Sequence, residues 1–249
     1  ADGTTWRPAG AIAGDLAGAA AVTAAAGPAG YVIAGTLAGP GGTGVADIWW
    51  SPDLIRWTRG HDINLAAGSS HVLAVAASAQ GFVSAGSHDG RPAVWTTVDG
   101  VSWTTIVLPV PGGASAAVLQ QIAVDENQVA ALGLATTGAG TVPVAELSAD
   151  GGTTWRHVPF SAPGPDAAFT AAAATPDGFA AAGLFGGPGR QDIAEWTSAS
   201  GAAWMPARAA GQDGAGTWEN IVLAPAGAAT AVIAVLAAQL EQEVVSGRL

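Results

Sequence analysis

A short unit ending in tryptophan recurs five times: DGTTW (2–6), SPDLIRW (51–57), TVDGVSW (97–103), SADGGTTW (148–155) and SASGAAW (198–204). Its tryptophans, Trp6, Trp57, Trp103, Trp155 and Trp204, are spaced 51, 46, 52 and 49 residues apart. A second marker keeps the same beat. YVIAGTL, FVSAGSH, VAALGLA, FAAAGLF and TAVIAVL place Gly35, Gly86, Gly133, Gly183 and Ala234 in one column, spaced 51, 47, 50 and 51 residues apart. Two independent markers in one period demand an array of like units rather than one irregular core.

Within a period, short apolar runs are broken by Gly, Pro, Asn and Asp, which favours strands over helices. The second unit shows four: HVLAVAAS, FVSAGS, PAVWTT and VSWTTIVL, joined by AQG, HDGR and VDG. Four strands per 40 to 50 residues is the signature of a β-propeller blade. The expected fold is all-β, a five-bladed β-propeller of four-stranded antiparallel blades in one domain spanning residues 1–249. The last unit supplies NIVLAPA, TAVIAVLAA and EVVSGRL but not the following turn, which stands at residues 2–6. The N-terminal strand is therefore expected to complete the C-terminal blade and close the ring, leaving no open sheet edge there.

Composition narrows the partners. Only 11% of the 249 residues are charged, and eight arginines with no lysine face nineteen acids for a net charge of −11. That balance opposes counterion-release binding to nucleic acid and attraction to an anionic membrane. The absence of cysteine excludes disulfides, thiolate metal sites and thiol nucleophiles. The apolar stretch IVLAPAGAATAVIAVLAA, residues 221–238, approaches the length of a membrane span. Pro225, Gly227 and the repeat make it two adjacent buried strands instead, with no membrane insertion expected.

Ser148, Asp150, Gly152 and Trp155 match Ser-x-Asp-x-Gly-x-x-Trp, and the chain resembles the Asp-box, or bacterial neuraminidase repeat, propellers of sialidase-like proteins. The other copies are shorter or partly degenerate. Asp2 and Trp6, Ser51, Asp53 and Trp57, Asp99 and Trp103, and Ser198 and Trp204 keep parts of the box; Ser200 replaces the acid, and SPDLIRW lacks the glycine. The resemblance implies a box in the hairpin between third and fourth strands, on the face opposite the ligand site. It also implies an extracellular or cell-surface protein, and the lysine-free, alanine-rich composition is compatible with a GC-rich bacterial source. A structural role for the boxes agrees with their chemistry: Asp and Ser accept backbone N–H groups of their own turn, and glycine supplies positive φ.

The opposite face would then be built by the loops joining second to third strands and those entering the next blade. The first set holds His88, Asp89 and Arg91, then Arg190 and Asp192, then Glu241; the second holds His61, Asp62 and His71, then Arg208 and Trp218. These are the ligand-binding candidates, with Trp218 foremost because GQDGAGTWEN, read as a loop, lies outside the repeat columns. A sialidase site is not expected. The one tyrosine, Tyr31, shares a core slot with Phe82 and Phe179, only Arg91, Arg190 and Arg208 are available for a substrate carboxylate, and the Arg-Ile-Pro element of the family is missing. Asp15, Asp166 and Glu219 each precede an expected innermost strand, making them catalytic candidates for a glycosidase that needs two suitably spaced carboxylates. The histidines lack metal-ligand spacing, and no cofactor motif is present, so neither metal nor cofactor is expected. The leading expectation is a non-catalytic propeller binding a glycan or a protein. The alternatives are a carbohydrate-active enzyme and a structural module of a larger exported protein.

Overall fold

The structure, a computed structural model, describes residues 19–65, 67–160, 167–186, 192–210, 218–226 and 229–236. Its first sheet contains β1 (Ala19–Gly27), β2 (Gly30–Ala38), β3 (Gly44–Ser51) and β4 (Thr58–Arg59). The second contains β5 (Ser70–Ser78), β6 (Gly81–His88), β7 (Arg91–Thr97) and β8 (Thr104–Val107). The third contains β9 (Ala114–Asp125), β10 (Gln128–Thr137), β11 (Gly140–Ser148) and β12 (Arg156–Val158). The fourth contains β13 (Ala168–Thr175), β14 (Gly178–Phe185), β15 (Asp192–Ser198) and β16 (Met205–Ala210), and β17 (Trp218–Ala226) pairs with β18 (Ala229–Leu236) in a fifth. Every pairing within these sheets is antiparallel between sequence neighbours. The first strands pack successively, β1 on β5, β5 on β9, β9 on β13 and β13 on β17. Side-by-side meanders meeting through their first strands are consistent with a β-propeller.

The apolar stretch near the C-terminus forms β17 and β18, and no helix among the described residues is long and apolar enough to cross a membrane. The expected closing strand at residues 2–6, with Asp2 and Trp6, and the expected EVVSGRL strand lie outside the described residues.

The glycine column has a steric cause. In the first strands of the second, third and fourth sheets one residue is inserted beside the column: Leu73 between Val72 and Ala74, Gln120 between Leu119 and Gln121, and Thr170 between Phe169 and Ala171. These β-bulges lean the first strand's backbone onto the second strand. A Cβ on Gly86, Gly133 or Gly183 would collide with the carbonyl oxygen of His71, Val118 or Ala168, respectively. Only glycine permits that approach.

The core lies between sheets. Ile48 and Val32 of the first sheet meet Trp95, Phe82 and Trp103 of the second; Val94 and Ala85 of the second meet Leu119 and Val144 of the third; Leu132 and Leu147 of the third meet Phe179, Trp196 and Trp204 of the fourth. Trp95 and Trp196 are fully buried, and Trp50 is half-buried with its indole N–H donated to Ala29 O at 2.7 Å. Phe82 and Phe179 are buried in the slot that Tyr31 shares by position, while Tyr31 itself is half-buried.

Candidate functional site

The two ends of the sheets differ chemically. At one end stand the hairpins joining third to fourth strands. Asp99 Oδ1 accepts the N–H groups of Val101 and Ser102 at 2.8 and 2.7 Å, and Asp53 Oδ1 accepts those of Ile55 and Arg56 at 3.0 and 2.9 Å. Asp150 Oδ1 accepts the Thr154 N–H at 2.8 Å and the Ser148 hydroxyl at 2.8 Å, and Oδ2 accepts the Thr154 hydroxyl at 2.6 Å. These bonds favour the charged form. Backbone bonds from Arg56 and Ile55 hold Asp53 at about 2, and a backbone bond from Ser102 does the same for Asp99. The side-chain bond from Thr154, then its backbone N–H, hold Asp150 at about 2. The turn tryptophans donate inward: Trp103 to Gly100 O at 3.1 Å, Trp155 to Gly152 O at 2.8 Å and Trp204 to Gly201 O at 3.0 Å.

The degenerate copies leave polar groups unpaired. Where Ser200 replaces the acid, the buried Ser198 hydroxyl has no partner; where Leu54 replaces the glycine, the buried Trp57 indole N–H has none. Carboxylates already saturated by their own turns have little capacity left for a ligand.

At the opposite end, β5, β6, β7 and the start of β3 converge. Ser69 Oγ accepts the Gly44 N–H at 2.7 Å and lies 2.9 Å from His71 Nε2. Ser69 and Asp89 are locked reciprocally, the Ser69 N–H donating to Asp89 Oδ1 at 2.7 Å and the Asp89 N–H to Ser69 O at 2.9 Å. His88 lies 2.9 Å from Ser70 Oγ through Nδ1 and 3.7 Å from Asp89 Oδ2 through Nε2. Gly90 O accepts the Ala117 N–H at 2.8 Å, tying this turn to the third sheet. Gly68, at φ 101°, leaves room that a Cβ would fill against Asp89 and His88. His71, Asp89 and Arg91 reach solvent from this rigid frame. An imidazole, a carboxylate and a guanidinium at one rim can donate and accept toward a polar ligand at the same time. The series Ser70–His88–Asp89 has the residue types of a hydrolytic relay, but Ser70 is only 2% exposed and offers solvent no nucleophile.

The other described candidates are not part of this cluster. His61 and Asp62 were expected at this rim. Instead His61 bridges to Ser102, its N–H donating to Val101 O at 2.9 Å and its carbonyl accepting the Trp103 N–H at 3.2 Å, so the pair sits at the sheets' outer edge beside the 97–103 turn. The short β4 leaves the chain free to cross there before it climbs to the rim. Arg208 lies within β16, paired with Glu195 rather than in a loop, whereas Asp192 begins β15 opposite Phe185 as Arg91 begins β7 opposite His88, at the corresponding end of the fourth sheet. Trp218 and Glu219 open β17 rather than a loop, with an irregularity between Trp218 and Asn220. Asp192, Arg208, Trp218 and Glu219 are described as backbone only, and Asp15, Asp166, Arg190 and Glu241 lie outside the described residues. No group of three or more metal-ligating side chains occurs among the described residues.

Two buried acids escaped the sequence reading. Asp47, with no solvent exposure, accepts Arg59 Nε at 2.6 Å and Trp49 Nε1 at 2.9 Å. Glu146, 3% exposed, lies 3.0 Å from His157 Nδ1, and burial pushes its carboxyl above the usual range. Aligned on the strand ends, Glu146 occupies the position of Trp49, Trp95 and Trp196, a break in the repeat that was visible in the sequence.

No family model matches the chain, and no curated protein sequence does. Among solved structures, a protein of unknown function from Dyadobacter fermentans superposes with a TM-score of 0.55 at 16% identity, over 83% of this chain and 72% of that one. The fungal lectin of Aleuria aurantia, a six-bladed β-propeller with a fucose recognition mode, gives 0.49 at 15% identity over 87% and 71%. The first likeness extends to fold alone, and the second carries no functional argument.

Proposed function

We propose that this chain is an exported Asp-box propeller of five blades, its ring closed by the N-terminal strand, that binds a glycan or a protein ligand at the rim opposite the box turns without chemistry of its own. One contrast carries the reading. At the box end the carboxylates are consumed by their own turns, whereas at the rim His71, Asp89 and Arg91 stand toward solvent on a hydrogen-bonded frame. Pre-ordered side chains lose little freedom when they engage a ligand. The period near 50 residues and the packing of successive first strands support the blade count and the single domain.

Screening the purified chain against a broad glycan array, with His71→Ala, Asp89→Asn and Arg91→Ala beside the parent, tests this reading. The expected result is glycan binding weakened at least about tenfold, or roughly 1.4 kcal/mol, by each substitution. Silence across the array transfers the rim to a protein ligand. Binding that is indifferent to all three substitutions refutes the rim.

A further inference from the structure

The outer edge between the first and second sheets holds a second arrangement, separate from the rim. Asp47 is fully buried, with both carboxylate oxygens taken, one by Arg59 Nε and one by Trp49 Nε1. Arg59 is thereby oriented: its guanidinium carbon lies 5.9 Å from the centroid of the Trp49 ring, and half of its side chain faces solvent. With Nε committed, the terminal amino groups are the end of the fork that remains for an outside partner. Beyond them opens a cavity of about 350 Å³ walled by Ala46, Asp47 and residues 59–64.

The other polar residues of the lining divide by whether they are already engaged. Asn64 is spent on structure, its amide donating to Ala46 O at 2.8 Å and its oxygen accepting the Ala46 N–H at 3.0 Å. Asp62 is not. Its side chain is 76% exposed, its contact is with His61 Nδ1 at 2.7 Å, and its backbone stands at φ 61° in the left-handed region. A non-glycine residue held there costs free energy, and such outliers gather at ligand clamps.

Charge selects the ligand. Arg59 and Asp47 cancel, Asp62 leaves the cavity negative, and the chain carries −11, so an anion is disfavoured. A guanidinium donor and a carboxylate acceptor lining one small space suit adjacent hydroxyl groups, each of which donates and accepts. Ala46 and Ile63 supply apolar wall for a C–H face. We propose that the Arg59–Asp62 cavity is a binding site for one neutral pyranose, held by adjacent hydroxyls between guanidinium and carboxylate. It is independent of the rim.

Calorimetric titration with neutral methyl pyranosides of gluco, galacto, manno and fuco configuration tests this directly. The expected Kd for one sugar is about 1 mM. Asp62→Asn keeps a residue tolerant of the left-handed backbone and removes the charge, and it should weaken binding at least tenfold while leaving the unfolding midpoint unchanged. Arg59→Gln should abolish binding; because it strands Asp47, Asp62→Asn decides the question if that variant does not fold. No titration by any of the four sugars overturns the proposal. So does binding unchanged by Asp62→Asn, a preference for glycine or glucuronate over every neutral sugar, or pyranoside binding lost in His71→Ala but retained in Asp62→Asn. Conversely, array binding lost in His71→Ala with pyranoside binding intact supports both sites, and loss only through Asp62→Asn supports this one against the rim.

Discussion

Leu54→Gly should stabilise the protein. In the three turns that keep their glycine, Gly100, Gly152 and Gly201 stand at φ 79°, 97° and 71°, and each carbonyl accepts the turn tryptophan's N–H. Leu54 takes the same place at φ 64°, and the Trp57 N–H below it has no partner. A left-handed conformation costs a residue with a Cβ about 1.5 kcal/mol. Glycine returns about 0.7 of that through unfolded-state entropy. Truncating a half-exposed leucine forfeits about 0.5 kcal/mol of burial, and a regained Trp57 hydrogen bond contributes about 1 kcal/mol. The net is about 1 kcal/mol in favour of Leu54→Gly, a rise in melting temperature of roughly 2–4 °C for a chain of this size. Urea unfolding should show a higher midpoint at unchanged slope. The reverse change, Gly100→Ala, should destabilise, since its Cβ would strike the Trp50 indole. An unmoved or lowered midpoint in Leu54→Gly, together with tolerance of Gly100→Ala, would refute the account of these turns.

Two further predictions concern pH. Asp53, Asp99 and Asp150 are held at about 2, below their unfolded value of 3.8, so the stability they confer is full above pH 4 and is lost as pH falls toward 2. The acid limb of stability against pH should flatten in the triple Asn variant; an acid limb of unchanged slope would mean these bonds do not couple to folding. Glu146 works in the opposite sense. Burial raises its pKa above 4.5, so the folded state favours the protonated acid, and that contribution disappears as pH rises through the folded value. Glu146→Gln should therefore gain stability over the parent progressively above pH 5 in denaturant titrations, and a pH-independent difference would contradict this.

Much of the strand order was legible because the repeat is written in residues with strong local requirements. The expected strands of the second unit coincide with β5, β6 and β7, and the fourth is shorter, Thr104–Val107 rather than residues 101–108, because Asp99 draws Val101 and Ser102 into the turn. GQDGAGTWEN misled for a related reason. Its glycines signal a loop, yet Trp218 pairs with Leu236 of the neighbouring strand and Glu219, at the irregularity beside it, lies within β17. Arg208 misled because a polar residue in an alanine-rich stretch reads as loop, whereas an outer strand tolerates it.

The sites were less legible. His71, His88 and Asp89 were chosen for their polarity in expected loops, and the structure brings them together through Ser69 and Ser70. His61 and Asp62 belonged to the same sequence class and went to the outer edge, because the path of the chain after β4 is set by contacts with the next sheet. Asp47 and Arg59, 12 residues apart, carry no motif that announces their pairing.

By itself, then, the sequence determined the period, the strand alternation within it and the turns, since each of these depends on backbone conformation and hydrogen bonds reaching only a few residues along the chain. Tertiary structure alone decided that the glycine column answers a bulge, that Glu146 and Asp47 are buried, and that Arg59 and Asp62 line one cavity. Those outcomes depend on packing between strands and sheets, where distance in space is unrelated to distance along the chain.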